Sequence, residues 1–149
     1  MNNKKTAGKY IKTFAISWLT ALALFVLSVV VKNDLPVAAQ IALGVLVVLI
    51  AVFFASGGYH YIEIESEKDL FRIKYFNLFP MGREYKSIQI PWSRYRKHEI
   101  KPSFNGLFHH LYIYEQTRGG LARYPAIGFS ALNAAEREKI LTFLKKMEK

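Results

Sequence analysis

Two long apolar runs, residues 14–31 and 35–55, stand almost back to back, parted only by Lys32-Asn33-Asp34. A run of about 18 or more apolar residues is long enough to cross the hydrocarbon core as a helix. A soluble domain of this size could hardly bury two such helices. The pair therefore predicts a transmembrane hairpin over residues 14–55, preceded by a basic tail, residues 1–13, and followed by one domain, residues 56–149. A cleaved signal peptide fits less well. Val37-Ala38-Ala39 loosely resembles a cleavage site, but the first run exceeds the usual apolar core of a leader, about 7–15 residues, and a second full span follows at once.

Charge sets the expected orientation. The net charge is +10, of which Lys4, Lys5, Lys9 and Lys12 supply +4 ahead of the first span. The connecting loop is neutral, and Lys68, Arg72 and Lys74 follow the second span. Basic residues are retained on the cytoplasmic side, so both termini are expected inside, in the cytoplasm, and the loop outside. Pro36 suits the first turn of the second helix. Tyr10 and Trp18 suit an interfacial position, and Ala42 and Gly44 suit close helix contact. The chain has no cysteine, which excludes disulfides, thiolate metal sites and cysteine nucleophiles.

Beyond Ser56-Gly57-Gly58 the pattern changes from continuous to alternating. Strands are predicted at 59–65, 70–76, 84–90, 94–101 and 107–117. The Arg118-Gly119-Gly120 turn then returns the chain through a sixth strand at 121–127. The last segment is helical. Ser130 or Asn133 can cap it, with Glu136 at capping-box spacing from Asn133, and Ile140, Leu141, Phe143, Leu144 and Met147 form its packing stripe. The fold class is thus α+β, an antiparallel β-domain closed by an amphipathic helix behind a membrane hairpin.

This arrangement, with Ser87-Ile88-Gln89-Ile90-Pro91-Trp92 as an "I-P" strand, the glycine hairpin and the terminal helix, resembles the bacterial pleckstrin-homology-like membrane proteins. The resemblance implies two nearly orthogonal sheets capped by the helix, and seven strands where the pattern yields six. It also implies binding or scaffolding more than catalysis.

Two basic groups are the candidate contacts for anionic lipid or a partner: Lys68, Arg72 and Lys74 at the first hairpin, and Arg94, Arg96, Lys97 and Lys101 around the fourth strand. Lys68-x3-Arg72-x-Lys74 is similar to the basic pattern of lipid-binding pleckstrin-homology domains. It ends in Lys, which lacks the bidentate fork of Arg. Each basic residue near an anionic surface is worth about 1 kcal/mol whatever the head group, so non-specific apposition is expected in place of stereospecific recognition. Membrane tethering disfavours nucleic acid as the partner.

No metal or cofactor is expected. His109 and His110 are neighbours on a strand and point to opposite faces, and His60 and His98 lie far from them in sequence. Glu63 and Glu65 share a strand face but are expected to pair with Lys68 and Lys74. With no nucleophile elbow or phosphate-binding loop, an enzyme is not expected. Phe104, Phe108, Tyr112, Tyr114 and Tyr124 are assigned by default to the sheet core, the alternative being that some of them line an exposed groove for a peptide. The resulting expectation is a non-enzymatic scaffold or accessory subunit that binds a protein partner at the membrane. The alternatives are an anionic-lipid sensor and a membrane-bound enzyme.

Overall fold

A computed structural model describes residues 1–31 and 35–148; the Lys32-Asn33-Asp34 loop lies outside them. Helix α1 (Lys4–Val30) and helix α2 (Val37–Ser56) form the N-terminal pair. Both are long and apolar enough to cross a membrane, yet only 17% and 11% of their most apolar windows is buried. A core helix of a soluble protein would be covered. These instead turn valine and leucine outward, with Val30 at 73% and Val37 at 69% exposure.

Small residues bring the helices together. Gly44 leaves room for the Phe25 ring, since a Cβ there would lie 3.1 Å from Phe25 Cε2. Ala21, Ser28 and Val47 are buried. At the other end of the pair Phe14 stacks on Phe54 with ring centroids 4.3 Å apart.

The two helices differ in length. At 1.5 Å per residue α2, with 20 residues, is about 30 Å long and α1, with 27, about 40 Å. Helix α1 therefore overhangs α2 by roughly 10 Å. The segment read as a basic tail is helical from Lys4 onward, and this overhang is where it packs against the β-domain. Ala7 is buried there, and Thr6 Oγ1 donates to Glu136 at 2.7 Å.

Strands β1 (His60–Ser66), β2 (Leu70–Asn77) and β3 (Lys86–Pro91) make one antiparallel sheet in sequential order. Strands β4 (Tyr95–Ser103), β5 (Phe108–Thr117) and β6 (Gly120–Arg123) make a second, to which β7 (Ile127–Gly128) adds on β5. Alternation explains the shared core. Ile62 and Ile64, Phe71 and Ile73, Ile88 and Ile90 point in from the first sheet, and Leu111, Ile113 and Ile127 from the second. Helix α3 (Ala134–Lys146) closes the core with Ile140 and Leu144. Asn133 and Glu136 form a reciprocal capping box at its start, as the spacing predicts.

The sixth expected strand is in fact two. Pro125 has no N–H to give to the ladder, so pairing with β5 ends with the Tyr124 N–H on the Ile113 carbonyl at 2.9 Å and resumes where Ile127 meets Leu111.

The chain's first residues complete the first sheet. Asn3 is 1% exposed. Its Oδ1 accepts from Ile62 N at 2.9 Å, and its Nδ2 donates to the His60 carbonyl at 3.0 Å. Ile64 N also donates to the Met1 carbonyl at 2.7 Å. Residues 1–3 thus cover the edge of β1, which binds the start of α1 to the domain that follows α2.

Candidate functional site

Strand direction gives the domain two ends. Helix α2 runs through Gly57-Gly58 into β1, so His60 and its partner Asn77 lie at the near end, while Ser66 and Phe71 lie at the far end. At about 3.3 Å per residue, β1 carries the chain roughly 20 Å between them. Near-end contacts are aromatic and tight. Tyr59 stacks on Phe54 at 4.9 Å, Phe108 meets Phe53 at 5.1 Å, and Phe79 meets Phe14 edge-on at 5.9 Å. Asn77 Nδ2 donates to the Ala55 carbonyl at 3.0 Å.

Two glycines make this joint possible. Gly58 sits at φ +67°, and a Cβ on Gly128 would run into the Gly58 carbonyl and His60 Nδ1. Gly128 N donates to His60 Nδ1 at 2.9 Å. Burial is the main cause that pulls the His60 pKa down to about 4, so the ring stays neutral near pH 7 and its lone pair remains an acceptor.

Beside the joint lies an apolar cleft of about 710 Å³. Tyr10 and Phe14 of α1 form one wall, Leu49 and Phe53 of α2 another, and Phe104 and Phe108 of the second sheet a third. No charged side chain lines it. Phe104 is at the β4–β5 tip with φ +51°, followed by Asn105 at +54° and Gly106 at +87°. That left-handed run turns Phe104 and Leu107 outward, at 72% and 62% exposure.

The basic candidates fall elsewhere, in two groups on two sheets. Lys68 is in the far β1–β2 turn. Arg72 pairs with Glu65 at 3.4 Å and Glu67 at 3.3 Å, and Lys74 with Glu65 at 2.7 Å. Lys97 and Lys101 share Glu99, at 2.6 and 3.4 Å. Hydrogen bonds from Lys97 and then Tyr114 hold the Glu99 carboxyl down near a pKa of about 2, so it stays charged beside both lysines. Arg94 Nε lies 2.9 Å from Glu115, which is 6% exposed. Arg94 thus closes a buried carboxylate that also accepts from the Tyr124 hydroxyl. Burial first, then that carboxylate, push the Tyr124 phenol up to about 12. Arg96 sits at the β4 bulge between Tyr95 and Lys97. Among the described residues, only Lys68 and Arg96 of the seven have no carboxylate within 4 Å.

Sequence pattern misassigned three aromatics. Phe104 is exposed, and Tyr112 and Tyr114 lie on the outer face of β5, because Leu111, Ile113 and Glu115 take the inner one. Tyr112 is flanked by the Lys101 ammonium at 5.6 Å and the Arg123 guanidinium at 5.2 Å, and Tyr114 carries Lys97 at 4.8 Å. Both faces of this strand read as apolar, so alternation alone gave no inside. His110 Nδ1 meets Ser103 Oγ at 3.2 Å, and no group of metal-ligating side chains occurs among the described residues.

The fold and joint define an α+β chain whose antiparallel domain is fixed to two helices of membrane-spanning length. Comparison with protein-family models, curated proteins and solved structures finds no match.

Proposed function

We propose that the protein is a non-enzymatic scaffold or accessory subunit of the bacterial inner membrane, anchored by α1 and α2 with both termini in the cytoplasm. Its domain is read as pleckstrin-homology-like, a reading supported by seven strands in two antiparallel sheets with a closing C-terminal helix. The observation that carries the proposal is the joint. A domain merely tethered would need only a linker, whereas this one is held by stacked rings and by Asn3, so its outer faces are presented at a set angle to the helices. The half-buried tyrosines and cations on the outer face of β4–β6 suit a protein partner, since Tyr and Arg dominate binding hot spots.

The test has two parts. In intact cells an impermeant maleimide should label Asn33→Cys and should reach Glu148→Cys only after permeabilisation; the reverse pattern overturns the orientation. A photo-crosslinking residue at Tyr112 in native membranes should yield one discrete protein adduct. Adducts with lipid alone would favour the lipid-sensor reading, and a diffuse smear of proteins would overturn the scaffold.

A further inference from the structure

The cleft at the joint continues onto the apolar outer surface of α2. It starts beside Leu49 and Phe53, which are 57% and 46% exposed, and ends under Phe104. If α1 and α2 span the bilayer, the cleft opens at the depth where acyl chains meet head groups. Its walls offer hydroxyls and rings but no charge, which matches a hydrocarbon chain and rejects a charged peptide. Beside it, Lys5, Lys9 and Lys12 recur at helical spacing on α1 and are exposed, and they lie on one side of the helix. Lys9 stands one helical turn ahead of the cleft-lining Thr13, so the stripe borders the α1 wall and supplies cations at head-group level for an anionic phosphate attached to the chain.

The β4–β5 tip completes the enclosure. A bulky aromatic residue at positive φ is strained, and here the strain turns an apolar ring away from the domain's own core. We propose that the cleft takes one acyl chain of a bilayer phospholipid from the leaflet on the domain's side, with the tip inserted in that leaflet and Phe104 as the outer wall. The lipid then serves as a third component of the joint. The contact assigned by sequence to Lys68, Arg72 and Lys74 moves to the opposite end of the domain. The far turn lies a strand's length from the helices, more than two Debye lengths at physiological salt, about 8 Å each.

This inference rests on the membrane-spanning reading, and the two can be separated by quenching of tryptophan by lipid. The full chain is reconstituted in phosphatidylethanolamine–phosphatidylglycerol vesicles whose acyl chains are brominated. Three single-tryptophan versions are compared: Trp18 alone (W92F), Trp92 alone (W18F), and F104W in the W18F/W92F background. Trp18 reports the span, and Trp92, in the β3–β4 turn at the same far end of the domain, reports the aqueous end. The expected result is that Trp18 and the F104W indole each lose more than half their emission while Trp92 keeps its own. Quenching of Trp18 with an F104W signal as bright as that of Trp92 overturns the lipid-filled cleft and leaves anchoring intact. An unquenched Trp18 overturns the spanning reading and the cleft with it. L107W in the same background serves as a second reporter on the tip and must agree with F104W.

Discussion

Replacing Asn3 by Ala is expected to loosen the domain from the helices at a cost of about 2–4 kcal/mol. Asn3 supplies an acceptor to the Ile62 amide and a donor to the His60 carbonyl. Leaving a buried polar group without its partner costs about 1–3 kcal/mol, and methyl-sized Ala fills neither position. Hydrogen exchange of the full-length protein in detergent would show it directly. The Ile62 amide should exchange about 30- to 700-fold faster, since each 1.4 kcal/mol is a factor of ten, while amides at the far end, such as Ile90, should change far less. Asn3→Asp separates the two bonds, because it keeps the acceptor and loses the donor. An Asn3→Ala protein with unchanged protection at Ile62 would show that the N-terminal residues merely lie on β1.

A second large effect is expected at Gly128. Its missing side chain is what lets β7 pass against the α2–β1 junction, and an added methyl would meet the Gly58 carbonyl and the His60 ring. Neither can swing aside. One is backbone held at positive φ, and the other is the acceptor for Gly128's own N–H. Overpacking typically costs about 1–3 kcal/mol and more where backbone must shift, so Gly128→Ala should lose about 3 kcal/mol or more. In a thermal melt it should stand far apart from Gly119→Ala, where nothing lies within 4 Å of the added Cβ. That control should remain within about 0.5 kcal/mol of the parent. Equal melting temperatures for the two variants would mean that the joint is open enough to absorb a methyl group.

These two sites mark where the sequence could and could not be read. Helix and strand positions follow from local periodicity, so α2, the C-terminal end of α1, five strands and the Asn133–Glu136 cap were legible within a residue or two, while the start of α1 at Lys4 lies ten residues ahead of its apolar run. Asn3 was not, because its partners are 57 to 128 residues away and a polar residue ahead of lysines has the pattern of a loose tail. The basic candidates show the same limit. Arg94 is indistinguishable in sequence from Arg96, yet β5 brings a buried Glu115 to the first. The cleft was hidden for a related reason, since Tyr10, Phe53 and Phe104 come from three separate elements and read singly as an interfacial ring, a span residue and sheet core.

The binding of residues 1–3 to β1 also has a consequence in time. During synthesis Asn3 leaves the ribosome well before its partner at Ala131, which follows only after nearly the whole domain has been made. The start of α1 therefore stays unattached while α2 and the β-domain are made, and it is captured only once β1 and the segment around Ala131 are in place. Assembly then finishes at residues 1–3, in a late clasp that joins the two ends of the order of synthesis.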